Sequence, residues 1–214
     1  MSLAVSGPDV QRRWSLEGKT AVVVGATSVM GLGLARALGR AGARLMLCGL
    51  EASALELAMQ DLQELGIDTR WQRADCTWED EVLGLVDATL ERMGDIDVLA
   101  TALPEVAMAH RVAVAVVANS MRARGGGRIL HLGSSNVAGA AADSPWARLA
   151  VEEAARWRSC GVRVNTLLLP EQPLGALSAL TFETLEAAAW LFAAPCGQGL
   201  SGQFLTVEDA SPAA

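Results

Sequence analysis

The sequence contains no tyrosine, a single lysine (Lys19) beside 16 arginines, and two histidines, with aromatic residues at only 4% of its 214 positions. The missing phenol and the scarcity of lysine become decisive further on. Basic residues are outnumbered 17 to 24, the net charge is −7, and no basic cluster breaks that balance. This excludes nucleic acid or an anionic membrane as a partner held by a positive field. No apolar run approaches the roughly 18–20 residues of a membrane span, and the first residues (Met1, Ser2, Leu3, Ala4) lack the charged start and apolar stretch of a signal peptide. The four cysteines, Cys48, Cys76, Cys160 and Cys196, include no CxxC pair. A zinc site or disulfide framework needs closer or patterned spacing, so no metal is expected. The cysteines read as scattered thiols in a reducing compartment, with the cytoplasm as the expected location.

What is present is core material: 51% of residues are hydrophobic, enough for one well-filled domain at this length. Residues 1–14 read as an N-terminal extension and 15–214 as the domain, with no repeat or low-complexity linker. Along it, short β-branched runs alternate with longer helical stretches. The pattern predicts strands at 20–24, 43–48, 69–73, 96–100, 128–132, 162–168 and 203–207. Helices are expected at 31–41, from about 54 to Gly66, from about 79 to 93, and at 105–123, 146–159 and 182–193. Ser53 with Glu56 has the spacing of a capping box, and Thr77 with Asp80 resembles another. In the helix that follows Thr77, Val82, Val86, Leu90 and Met93 form one stripe. Strand and helix alternate six times, and the strands are apolar with little period-two polarity. That calls for a parallel sheet covered on both faces, a doubly wound α/β domain.

The first strand runs straight into Gly25-Ala-Thr-Ser-Val29-Met-Gly31-Leu-Gly33, where a helix begins. A glycine turn at this point lets backbone N–H groups and a helix N-terminus face a pyrophosphate. Further segments follow in order: Leu16-Glu-Gly-Lys-Thr-Ala-Val-Val-Val-Gly25, Ala74-Asp75-Cys76-Thr77, Gly127-Arg-Ile-Leu-His-Leu-Gly-Ser134-Ser135, Gly161-Val-Arg-Val-Asn165 with Pro170, and Ser201-Gly202-Gln203. Together they resemble the short-chain dehydrogenase/reductase family over nearly the whole chain. The resemblance implies a single Rossmann-like sheet, NAD or NADP as cofactor, a small-molecule alcohol or ketone as substrate, and a homodimer or homotetramer formed through the late helices. The family's Thr-Gly-x-x-x-Gly-x-Gly motif falls on Val24, Gly25, Val29 and Gly31, a register supported by the distance to Gly42-Ala43 over one using Gly33. By this resemblance Gly25, Thr27, Ser28, Met30, Gly31, Asp75 and Cys76 are cofactor-binding residues, with Asp75 on the adenine. Ser134 is the serine that stabilises the substrate oxygen.

The departures gather where the chemistry belongs. Val29 puts a branched side chain at the central glycine position, and Thr101-Ala102-Leu103-Pro104 replaces the family's Asn-Asn-Ala-Gly. At the cofactor-selecting position stand Gly49-Leu50, with neither an acid for ribose hydroxyls nor an arginine for a 2′-phosphate. Glu51 lies two residues beyond. The family's Tyr-x-x-x-Lys falls near Ser144 and Arg148 counted forward from Ser134, or near Gly139 and Asp143 counted back from Asn165. Neither register supplies the pair. A serine cannot stand in for a phenol with a reference pKa near 10, and an arginine cannot shuttle a proton. Relative to the family, length is missing after Pro104, between Ser134 and Asn165, and after Pro173. Either the chain is a trimmed, degenerate member or residues of those segments are absent from the sequence.

Three readings follow. The first is an NAD(P)-dependent oxidoreductase with Ser134 on the substrate oxygen and another group supplying the proton. The second is a catalytically silent dinucleotide-binding member acting as partner or regulatory subunit. The third is a dinucleotide-free module, for which Val29 and Thr101-Ala102 speak. His131 on a strand reads as structural, His110 has no acid placed beside it by sequence, and no Ser–His–Asp order supports a hydrolase. Trp146 and Trp157 read as an oligomer seam or as core.

Overall fold

A computed structural model describes residues 14–103, 108–135, 144–170, 179–197 and 199–206. Seven strands, β1 (Thr20–Val24), β2 (Arg44–Gly49), β3 (Thr69–Arg73), β4 (Val98–Ala102), β5 (Gly127–Ser135), β6 (Val162–Pro170) and β7 (Phe204–Thr206), form one sheet in the order β3-β2-β1-β4-β5-β6-β7. Every neighbouring pair is parallel. Among the described residues six α-helices connect them: α1 (Val29–Arg40), α2 (Ala52–Glu64), α3 (Glu79–Met93), α4 (Met108–Ala123), α5 (Pro145–Trp157) and α6 (Ala179–Ala193). The expected doubly wound α/β architecture is the one observed.

The apolar strands are explained by the two cores. Successive strand residues point to opposite faces, so Val23, Leu45, Leu47, Leu130 and Leu167 pack under α1, α2 and α6, against Leu34, Leu55 and Phe192. Val22, Val24, Met46, Leu99, Ile129 and Val164 pack under α3, α4 and α5, against Val82, Val86, Val117 and Trp157. All five residues of β1 are buried; a strand covered on both sides has no polar face to alternate. Trp146 and Trp157 are both 6% exposed, so they belong to the core. The helix at 79–93 buries Val82, Val86 and Met93 as the stripe requires.

Both expected capping boxes are corrected. α2 begins at Ala52 with Glu51 as its N-cap and no side-chain cap bond, which places Ser53 and Glu56 inside the helix. β2 ends at Gly49, so the chain enters the helix two residues before the box. At α3 the N-cap is Trp78, again without a side-chain bond. Thr77 instead turns back, its N–H and hydroxyl both donating to Asp75 Oδ1 at 2.9 and 2.7 Å. Elsewhere side chains do cap: Ser28 Oγ accepts from Gly31 N at the start of α1, and Ser144 Oγ accepts from Ala147 N at the start of α5, with Pro145 following. The expected N-terminal extension lies almost wholly outside the described residues. Leu16 is already buried and its N–H donates to the Ala41 carbonyl at 2.7 Å.

Candidate functional site

The strand order reverses between β1 and β4, and in open parallel sheets ligands bind outside the carboxyl ends of the strands at such a reversal. The glycine turn occupies that place. Gly25 has φ +77°, a conformation that side chains disfavour, and a β-carbon there would drive into the Ala102 carbonyl of β4. The Cys48 carbonyl pins the turn by accepting from Gly25 N and Ala26 N at 3.0 and 3.1 Å. A β-carbon on Gly31 would collide with the Gly25 carbonyl oxygen. Gly31 is therefore where α1 seats on the turn. Ser28 closes the arrangement, donating to Gly25 O at 2.9 Å while its Oγ accepts from Gly31 N at 3.0 Å. The first N–H groups of a helix have no partner within it, so those of Val29 and Met30 are directed out of the end of α1. Val29 is 47% exposed and has no positive φ. A valine here therefore strains no backbone; it only occupies space above the turn.

Beside the turn, Thr27 packs over the end of β2: a β-carbon on Gly49 would lie 3.4 Å from the Thr27 methyl and 3.5 Å from Leu55. Asp75 stands on the far side. Hydrogen bonds from Thr77, aided by the nearby Arg73 charge, hold its carboxyl below the usual carboxylate range. Its N–H donates to Glu81 Oε2 at 2.7 Å. Beneath, the Cys48 and Cys76 sulfurs lie 3.7 Å apart, and the Cys48 thiol bonds the Ala74 carbonyl at 3.6 Å. The bond with Cys76 and burial push the Cys48 thiol well above its ordinary value, so it stays protonated and acts as packing for the turn. Gly25, Thr27, Ser28, Met30, Gly31, Asp75 and Cys76 thus line one edge of the sheet, along the ends of β1, β2 and β3.

Ser134 sits at the end of β5 with its backbone in register with Leu169; its side chain lies outside the described residues. So do Gly139, Asp143, and the segments after Pro104 and Pro173. Ser144, at the tyrosine position in one register, is committed as the cap of α5. Lys19 is at the opposite edge of the sheet, with Nζ 2.8 Å from Asp97 Oδ1. It buttresses the starts of β1 and β4 and cannot serve a site at their ends.

The sequence gives no hint that both histidines converge. Thr101 Oγ1 lies 2.8 Å from His131 Nδ1 and 3.0 Å from His110 Nδ1, and all three residues are fully buried. The His110 ring meets His131 and Trp146 edge-on at 5.3 and 4.9 Å between centroids. Burial, with some repulsion from His110, lowers the His131 pKa to about 3. At neutral pH it is an uncharged imidazole, a structural group rather than a proton donor. Among the described residues no cluster of three metal-ligating side chains occurs, and no helix is long and apolar enough to cross a membrane.

Comparison with known proteins matches residues 19–104 to the short chain dehydrogenase family model. The gluconate 5-dehydrogenase of Gluconobacter oxydans is 37% identical over 95 residues, 44% of this chain and 36% of that protein. The 7alpha-hydroxysteroid dehydrogenase of Escherichia coli is 31% identical over 84 residues, 39% and 33% of the two. The matched segment thus spans about a third of the length of these relatives. Solved structures extend the likeness in fold. A hydroxysteroid dehydrogenase from Escherichia coli superposes with TM-score 0.77 at 22% identity, covering 92% of this chain and 96% of that one. A gluconate 5-dehydrogenase from Burkholderia cenocepacia, in complex with NADP and tartrate, gives 0.79 at 22% identity over 93% and 97%. A 7alpha-hydroxysteroid dehydrogenase complexed with NADH gives 0.77 at 21% identity over 92% and 95%. With its glycine turn, its strand order and the match over residues 19–104, the chain is similar to the short-chain dehydrogenase/reductase family over that segment and shares the fold of its solved members.

Proposed function

We propose that this chain binds a nicotinamide dinucleotide along the carboxyl ends of β1–β4 and is an oxidoreductase acting on a small alcohol or ketone. The observation that carries the reading is the Gly25–Gly31 turn, where two β-carbon-free contacts let α1 seat with its first N–H groups exposed at the strand reversal. Such an end favours a pyrophosphate through its dipole and its unpaired donors. Val29 fits this use, since phosphate is held by backbone N–H groups and the valine side chain is already turned to solvent. Thr27 and Ser28 border the pyrophosphate, Met30 and Gly31 contribute through the helix end, and Asp75 with Cys76 holds the adenine. When bound, the nicotinamide supplies the hydride acceptor or donor. Ser134 holds the reacting oxygen of the substrate, and the chain assembles as a homodimer or homotetramer.

A second reading is favoured by Lys19 and Ser144. The single lysine is paired with Asp97 at the far edge of the sheet, and Ser144, at the tyrosine position in one of the two registers, is a helix cap. Losing the general acid removes a contribution of roughly 10²–10⁴-fold. A protein in this state still binds the dinucleotide but acts as a silent partner or regulatory subunit, since core stability does not depend on the site.

Calorimetric titration with NADH and NADPH, followed by a turnover assay on small alcohols and ketones reading reduced-nicotinamide absorbance, separates the cases. Binding with turnover supports the oxidoreductase, and binding without turnover the silent subunit. No binding of either dinucleotide overturns both.

A further inference from the structure

The ribose end of the cleft contains a feature that counting along the chain misses. Gly49, at the cofactor-selecting position, is in register with Arg73 across β2 and β3. Parallel register partners project to the same face, and Gly49 projects nothing. The Arg73 side chain reaches back to the end of β2, its Nε donating to the Leu50 carbonyl at 3.2 Å. A guanidinium has five N–H donors, and this bond uses one. The neighbouring carboxylate, Glu81 Oε2, is 3.9 Å from Arg73 Nη1 and is committed at 2.7 Å to the Asp75 N–H. The Arg73 side chain is 56% exposed. Thr27 of the glycine turn and Leu55 of α2 fill the space beside Gly49, where a β-carbon would lie 3.4–3.5 Å from them. The order across the edge is therefore pyrophosphate turn, bare strand end, guanidinium.

In a dinucleotide lying along such an edge, the adenosine ribose sits over the end of the second strand. There an acid selects the free 2′-hydroxyl and an arginine accommodates a 2′-phosphate. We propose that Arg73, supplied by β3 rather than by the end of β2, makes this a 2′-phosphate subsite, so that the chain prefers NADP over NAD. The inference rests on the dinucleotide reading above. Its competitor is Glu51: a carboxylate taking the ribose hydroxyls would make NAD the tighter ligand. Guanidinium recognition of phosphate is planar and bidentate, so a lysine at position 73 restores the charge but not the fork.

The test titrates the full chain with two fragments, adenosine 2′,5′-bisphosphate and 5′-AMP, and with NADPH and NADH, by calorimetry at low and high salt. Preference for the 2′-phosphorylated member of each pair by about tenfold or more is expected, weakening as salt screens an exposed charge. Arg73→Ala removes that preference while the NADH affinity stays within about twofold, and Arg73→Lys recovers part of it. Thermal melting of Arg73→Ala matching the parent shows that the fold is intact. Equal affinities, tighter NADH, or an Arg73→Ala variant that keeps the preference overturns the assignment and leaves the dinucleotide reading standing. If none of the four ligands binds, both fall together.

Discussion

Acidification should destabilise this protein through His131, by an amount the buried cluster sets. The side chain is fully buried, its Nδ1 bonded to Thr101, and its pKa in the fold is about 3, against about 6.5 in an unfolded chain. The folded state therefore disfavours the protonated form. The stability tied to neutral His131 is fully present above the unfolded pKa. It is lost as pH falls from about 6.5 toward 3, at about 1.4 kcal/mol per pH unit. Between about pH 7.5 and about pH 5 the loss comes to about 2 kcal/mol, or about 4–8 °C in melting temperature for a domain of this size. Carboxylates that titrate in the same range are common to parent and variant, so the informative quantity is a difference. Urea unfolding of the parent and of His131→Gln at both pH values should show the parent losing about 2 kcal/mol more than the variant. If the two lose the same stability within about 0.5 kcal/mol, His131 is not held neutral by the fold and the reading of the cluster is wrong.

Two further outcomes follow from the same geometry. Gly31→Ala should cost about 1–3 kcal/mol and abolish dinucleotide binding, because its methyl meets the Gly25 carbonyl, a backbone atom that cannot swing away. Gly84→Ala, in open space on α3, should instead stabilise by about 0.5–1 kcal/mol; chemical denaturation and a dinucleotide titration read both variants. Lys19→Met should lower stability by about 1 kcal/mol through loss of the 2.8 Å contact with Asp97, with no change in dinucleotide affinity. A shift in affinity measured on that variant would contradict the placement of Lys19 at the far edge of the sheet.

The architecture was legible because its signals are local. Val22 to Val24 is apolar without alternation since both faces of β1 are covered, and a parallel sheet is the arrangement that does this. Gly25 and Gly31 could be singled out because a strand leads into them and a helix leaves them. The capping boxes were misleading for the opposite reason. The spacing of Ser53 to Glu56 is common, and where a helix begins depends on where the preceding strand stops pairing, which Gly49 decides.

By itself, the sequence determined the alternation of strands and helices, the place of the glycine turn, and the absence of any tyrosine or spare lysine for catalysis. Hydrophobic periodicity, turn chemistry and composition are properties of neighbouring residues or of a count. Tertiary structure decided the rest. Strand register brought Arg73 beside Gly49, 24 positions apart in the chain. The pairing of β4 with β5, and the seating of α4 over them, set His110 and His131 on one Thr101 hydroxyl. Such contacts exist only when the sheet forms, because hydrogen-bonded register rather than distance along the chain determines which side chains meet.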